Sequence, residues 1–213
     1  MLQQETESPV PKNPMKSDWM SQFGHPRGWR GWVVGQLMAI KNRERSLWVL
    51  SLLELRPTDR VLEIGFGSGA DIRRVAARIP EGFVMGIDHS EAMVRLAASK
   101  NAGAIGAGHV TLRQSSASNL TYETNSFDAV YSINVAQFWD KPMEVAQEIR
   151  RVLKPGGQIA IAIQPRNKGA TEATVLKTGE KLVEALSAAG FSPVRLERKL
   201  LRPVSVVCAL AIK

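Results

Sequence analysis

A chain of 213 residues with 44% hydrophobic content can fill one α/β domain but not two of ordinary size, so one domain with an N-terminal extension is expected. The only cysteine, Cys208, leaves no partner for an internal disulfide and no thiolate cluster for zinc, which fits a reducing compartment and a cytoplasmic location. The formal charge of +8 gathers late in the chain: residues 150–213 carry 12 Lys/Arg against 4 Asp/Glu, while residues 1–149 balance at 16 and 16. Such a surplus can attract anionic lipid, nucleic acid or an acidic substrate, but with no block of five or six basic residues in the chain a solvated face is the favoured reading.

Residues 1–17 are polar, with Pro9, Pro11 and Pro14, and show neither the pattern of an export signal nor a membrane-spanning run. Residues 19–48 hold four of the five tryptophans, Trp19, Trp29, Trp32 and Trp48, with Phe23 and His25 alongside. Over residues 31–55, Val34, Leu37, Met38, Ile40, Leu47, Leu50 and Leu53 recur at helical spacing around Lys41, Arg43, Glu44 and Arg45. This predicts one long or broken amphipathic helix. Arg56 precedes Pro57 and is pushed out of the helical region, so a tail and helical extension over 1–56 is expected to precede the main domain over 57–213.

Beyond Pro57 the pattern alternates. Strands are predicted at 60–64, 83–87, 109–113, 127–133 and 158–163, with helices at 71–79, 91–99 and 143–153. A helix over 179–189, closed by Gly190, is followed by extended runs at 194–200 and 204–212. Segments 101–108 and 166–174 read as loops. Five strands in alternation with helices and a terminal strand pair predict a mostly parallel sheet ending in a hairpin.

The strongest local signal is Val61-Leu62-Glu63-Ile64-Gly65-Phe66-Gly67-Ser68-Gly69-Ala70, a buried-type strand entering a glycine turn and then a helix. Glycines there let the backbone approach a nucleoside-sized ligand. Gly65, Gly67 and Ala70 also fit the dinucleotide pattern, in which a helix N-terminus faces a pyrophosphate, and a tight turn without a ligand would need similar residues. Val84-Met85-Gly86-Ile87-Asp88 then sets a carboxylate at the end of the second strand, at the spacing of a ribose diol ligand. Capping of the helix that opens at Ser90 and Glu91 is the other use for Asp88.

Glu63, two residues before the first glycine, and Asp88 together resemble the E-x-G-x-G-x-G and acidic-loop motifs of class I S-adenosylmethionine (SAM) dependent methyltransferases. The run from Asn119 through Tyr122 and Phe127 to Val130 resembles that family's loop and fourth strand, and Leu153-Lys154-Pro155-Gly156-Gly157 its turn into the fifth. The resemblance covers about residues 57–164, is broadly to the menaquinone/ubiquinone C-methyltransferase-like group, and implies a doubly wound seven-stranded sheet with helices on both faces and an antiparallel terminal strand.

Carried over by position, the resemblance implies that Glu63 and the loop of Gly65, Phe66, Gly67 and Gly69 hold the methionyl part of SAM. Asp88 would take the ribose, and His89 would lie near the adenine. Ser116 and Ala117 fall where the family has an Asp and a small residue against the adenine, so a hydroxyl replaces a charge. Asn134 would join the methionyl site and face the acceptor.

Trp29 and Trp32 from the extension, and Phe138 and Trp139 after the fourth strand, are the expected walls of an acceptor pocket. The Trp/Arg-rich extension also fits contact with a membrane surface, and mutual packing of the rings would use the same residues. His25 and Tyr122 are the candidate general bases, while His109 should lie at the far end of its strand. No Asn/Asp-Pro-Pro-Tyr/Phe run is present, which argues against methylation of nucleic-acid bases, and no His/Asp set has metal-ligand spacing. The leading expectation is methyl transfer to O, N, C or S of a small, partly apolar acceptor, a lipid or a quinone among them. A nicotinamide-dependent oxidoreductase, an aminopropyl transferase and a non-catalytic SAM-binding protein stand as alternatives.

Overall fold

Strand β1 (Arg60–Ile64) is buried at four of its five positions, the pattern of a strand covered on both faces. In the computed structural model, which describes residues 42–213, residues 43–213 form one compact unit around it. Helix α1 is described over residues 42–51. After β1 come α2 (Ala70–Arg78), β2 (Phe83–Asp88), α3 (Glu91–Lys100), α4 (Ala102–Gly106), β3 (Val110–Gln114) and β4 (Phe127–Ile133). A short 3₁₀ turn (Ala136–Phe138), α5 (Pro142–Val152), β5 (Leu153–Ile163), α6 (Glu172–Ala188), β6 (Val194–Lys199) and β7 (Val206–Ile212) complete the chain.

The seven strands lie in the order β3-β2-β1-β4-β5-β7-β6. Five pair in parallel, and β7 runs antiparallel to both β5 and β6. Alternation along the strands feeds two cores. Leu62, Ile64, Ile159 and Ile161 pack with Val145 and Ile149 of α5 and Leu182 and Leu186 of α6. On the other face Val61, Ala129 and Ala160 meet Val49 and Leu50 of α1 and Ile72 and Val75 of α2. The result is the expected doubly wound sheet with a final hairpin. Among the described residues no helix is long and apolar enough to cross a membrane.

Four elements differ from expectation by more than two residues. Segment 101–108 forms the short helix α4 rather than a loop: Ile105 N–H donates to Asn101 O at 3.0 Å, and Ala104 and Ile105 pack on the α2 side of the sheet. Helix α6 begins at Glu172, seven residues before Gly179. Thr171 and Thr174 make a reciprocal capping box, and such polar residues look like loop until the cap is formed. Gly179 sits inside that helix because a Cβ there would come within 2.6 Å of the Leu196 side chain. Strand β5 starts at Leu153 rather than residue 158, pairing with Phe127 before an irregularity in register. Helix α1 ends at residue 51, short of the proline.

Candidate functional site

Neighbouring strands β1 and β4 are followed by crossovers in opposite directions, which opens a crevice at their carboxyl ends. There the glycine turn leaves β1. Gly65 N–H donates to Ile87 O at 2.7 Å, extending the ladder to β2 by one rung. Gly65 has φ of +77°, and a Cβ on it would lie 2.4 Å from Val135, just past β4. Gly67, with φ of +51°, faces open space, with nothing within 4 Å of where its Cβ would be. The loop therefore closes against the protein at Gly65 and presents bare backbone at Gly67. Gly69, at φ of +72°, caps α2 against Ala97 and Asn101. The Phe66 ring is buried among the core residues of that face, leaving only its backbone to the crevice.

Asp88 ends β2 and braces this loop. One carboxylate oxygen accepts from Gly67 N–H at 2.8 Å and the other from Ser90 N–H at 2.9 Å. Each oxygen keeps a second lone pair. Asp88 thus serves its own helix and the glycine loop together, while Ser90 caps α3 by accepting from Met93 N–H. His89 is exposed, with Nδ1 3.5 Å from Asp88. Ser115 N–H donates to Asp88 O at 3.1 Å, which brings in the loop after β3. Ser116 is exposed and its hydroxyl pairs with that of Ser118 at 2.9 Å, while Ala117 packs on the α5–α6 core.

Glu63 lies beneath the glycine turn, buried at 3% exposure. Its Oε2 accepts from the Tyr131 hydroxyl at 2.7 Å. Burial, and next the charge of Asp71, push the Glu63 carboxyl well above the ordinary carboxylate range, against the lowering effect of the Tyr131 bond. Asp71, in the first turn of α2, accepts from Ser46 of α1 at 2.7 Å and pairs with Arg74.

Asn134, one residue past β4, holds a left-handed φ of +59°. Its side-chain oxygen accepts from Gln164 N–H at 2.7 Å, leaving Nδ2 as a donor. The Gln164 side chain in turn accepts from Arg45 at 3.1 Å and donates to Val204 O at 2.8 Å. Burial, and next the charge of Arg166, lower the Arg45 guanidinium to about 10, with Asp71 opposing. Helix α1 is thereby tied to the first turn of α2 and, through Gln164, to the ends of β4 and β5. Sequence reasoning missed Tyr131, Asp71, Gln164 and Arg45. The one available signal was Tyr131, a hydroxyl in an otherwise apolar strand that needs a partner once buried.

A cavity of about 350 Å³ lies between α5 and α6, lined by Ala136, Trp139, Pro142, Ile163, Thr178 and Lys181 among others. It runs from two residues past Asn134 to the last residue of β5. Trp139 is one of its walls, whereas Phe138 is 56% exposed and outside the lining. Tyr122 is not brought to this end. Its ring stacks edge-on against Phe127, the first residue of β4, at 5.2 Å, whereas Asn134 follows the last, roughly 20 Å away along the strand. Burial also raises the Tyr122 pKa, with Arg113 opposing, which disfavours a base. His109 likewise sits at the amino end of β3. His25, Trp29 and Trp32 lie outside the described residues, and Trp48 packs on the α2 side of the sheet. Among the described residues no group of three or more His, Cys, Asp or Glu is placed to hold a metal ion.

A doubly wound sheet whose glycine turn meets a carboxylate at its switch point defines a protein that binds a nucleoside-containing cofactor. Residues 62–161 match the family described as "Methyltransferase domain". The chain is 32% identical over 181 residues, 85% of its length and 98% of the relative's, to the uncharacterized methyltransferase YdaC of Bacillus subtilis. It is 28% identical over 141 residues to the ubiquinone/menaquinone biosynthesis C-methyltransferase UbiE of Geotalea daltonii, covering 65% of this chain and 53% of that one. The crystal structure of a SAM-dependent methyltransferase from Aquifex aeolicus superposes with a TM-score of 0.66 at 23% identity, over 78% of this chain and 88% of that one, and shares the fold. The chain belongs to the class I SAM-dependent methyltransferases. SAM is its cofactor, and the nicotinamide alternative falls with that assignment.

Proposed function

We propose that the protein transfers the SAM methyl to a small, partly apolar acceptor held in the α5–α6 cavity. The observation that carries this reading is the cavity itself: its volume suits a small molecule, its lining is mostly apolar, and it starts two residues from Asn134. When bound, SAM would supply an electrophilic methyl: an acceptor lone pair would bond to the methyl carbon in line as the carbon–sulfur bond breaks, with S-adenosylhomocysteine as the leaving group. Asp88 would hold the ribose through its remaining lone pairs, and Gly67 would offer backbone to the methionyl part. Glu63 would face the methionyl ammonium, whose charge favours the ionised carboxylate. The Ser116-Ala117 loop would border the adenine, with His89 at its exposed edge. Asn134 would donate through Nδ2 to the methionyl end or to the acceptor. With Tyr122 remote, the described residues would contribute alignment and exclusion of water, which lower the barrier for a displacement that disperses charge, and His25 stays the candidate base.

The test is an acceptor screen over amines, phenols, quinones and lipids with labelled SAM, run on the wild type and on Thr178→Phe. The added ring enters the cavity from α6 and should cut kcat/KM for the acceptor at least tenfold while S-adenosylhomocysteine binds as before. Equal turnover by both proteins would place the acceptor elsewhere, and SAM retained without turnover of any acceptor would favour a binding role.

A further inference from the structure

Among the described residues the exposed large apolar side chains are spread over α1 (Leu47), α3 (Leu96) and β6 (Leu196) as well as the carboxyl ends of the strands, where Phe138 and three others lie. Met143, in the first turn of α5, is 37% exposed, Leu176, near the start of α6, is 48% exposed, and Leu200, just past β6, is 75% exposed. The topology sets these three at one end of the sheet. Pro142, beside Met143, shares the cavity lining with Ile163, the last residue of β5. Val175, beside Leu176, packs on Val204 and Val207, and Val207 is the partner of Ile163. Lys199 pairs with Val206, the residue level with Gln164, so Leu200 lies one residue beyond that level. The three residues thus mark a rim at the carboxyl ends of β4, β5 and β6, the same end as the glycine loop.

The charge at this rim is positive. Lys168 in the β5–α6 loop, Lys177 beside Leu176 and Arg202 beyond Leu200 are exposed and form no ion pair among the described residues. The acidic Glu144 and Glu172 are paired with Lys141 and Arg198, and exposed Asp140 and Glu180, the latter one turn along α6 from Lys177, oppose part of the surplus. Exposed leucine flanked by unpaired cations is what an anionic bilayer recognises: the aliphatic chain enters the acyl boundary and the cations meet the headgroup phosphates.

We propose that this rim docks the protein on an anionic lipid surface, with Leu200 inserted and Lys168, Lys177 and Arg202 against the headgroups. Docked this way, the glycine-loop end of the sheet faces the bilayer. The inference does not depend on the acceptor reading, because vesicle binding is measured with no acceptor present.

The experiment is cosedimentation of the full chain with vesicles of mixed phosphatidylglycerol and phosphatidylcholine, against vesicles of phosphatidylcholine alone. The expected result is binding to the anionic vesicles only, weakened as salt shortens the Debye length. Each charge reversal in Lys168→Glu/Lys177→Glu/Arg202→Glu should weaken partitioning about fivefold or more, and Leu200→Ser about tenfold. All these side chains are exposed, so unchanged S-adenosylhomocysteine affinity verifies that the variants fold. Equal binding to both vesicle types, or wild-type binding by the charge-reversed variant, would overturn the proposal. So would self-association in sedimentation velocity that Leu200→Ser abolishes, which would make the rim a contact between two copies of this chain.

Discussion

Tyr131 and Glu63 stand side by side in register on β4 and β1, and the phenol donates a 2.7 Å hydrogen bond to the carboxyl beneath the glycine turn. Both are buried, so neither has water as a substitute partner. Tyr131→Phe should cost about 1–3 kcal/mol, the range for orphaning a buried polar group.

The cost should depend on pH. Glu63 is raised in the folded state, chiefly by burial, so between the ordinary carboxylate range and its folded pKa the native state holds the extra proton. Stability from this group is fully present below the ordinary range and is lost as pH rises through the folded pKa. Removing the Tyr131 bond takes away an effect that favours the ionised form, so Tyr131→Phe should destabilise more at alkaline than at mildly acidic pH. Glu63→Gln should flatten the profile. Urea unfolding of the three proteins at several pH values measures both effects, and the same penalty for Tyr131→Phe at every pH would contradict them.

Asp88 braces Gly67 and Ser90 through two charge-assisted bonds. Calorimetric titration with S-adenosylhomocysteine should show Asp88→Ala losing tenfold or more in affinity, in line with about 1.5–3 kcal/mol for a bond to a charged group. Wild-type protein should give no saturable heat with NAD(H). Affinity unchanged by Asp88→Ala would leave the carboxylate as a loop brace alone.

Gly65 and Gly67 make a contrasting pair. A Cβ at Gly65 meets Val135 at 2.4 Å, whereas one at Gly67 meets nothing within 4 Å. Gly65→Ala should unfold at clearly lower denaturant. Gly67→Ala should lose only about 1–2 kcal/mol from its left-handed backbone, yet bind S-adenosylhomocysteine much more weakly, because its methyl enters the open side of the loop. Parallel unfolding and binding curves separate the two effects.

Cys208 is fully buried in β7, and burial pushes its thiol up to about 12. A thiol reagent at mildly alkaline pH should leave the native protein unlabelled and modify it at one site after unfolding. Rapid labelling of folded protein would mean that β7 opens locally.

The sequence was most readable where the chemistry is local. The limits of β1 and β4 match expectation to the residue, because both are apolar runs bounded by turn residues. Asp88 was legible from its distance to the glycines along one βαβ unit. Helix α6 was cut short because its start depends on a threonine cap rather than on apolar periodicity. Tyr122 reads as a neighbour of the site only until the chain between β3 and β4 carries it back to Phe127.

By itself the sequence determined the alternation of strands and helices, the glycine turn and the carboxylate at the end of β2, since each is encoded within a few residues by backbone freedom, hydrophobic period or spacing. The tertiary structure alone decided that β7 slots between β5 and β6, that Glu63 meets Tyr131 across 68 positions, that Arg45 reaches Gln164 across 119, and that α5 and α6 leave a cavity between them. Those outcomes depend on the register and packing of segments far apart in the chain, where neither partner's local pattern names the other.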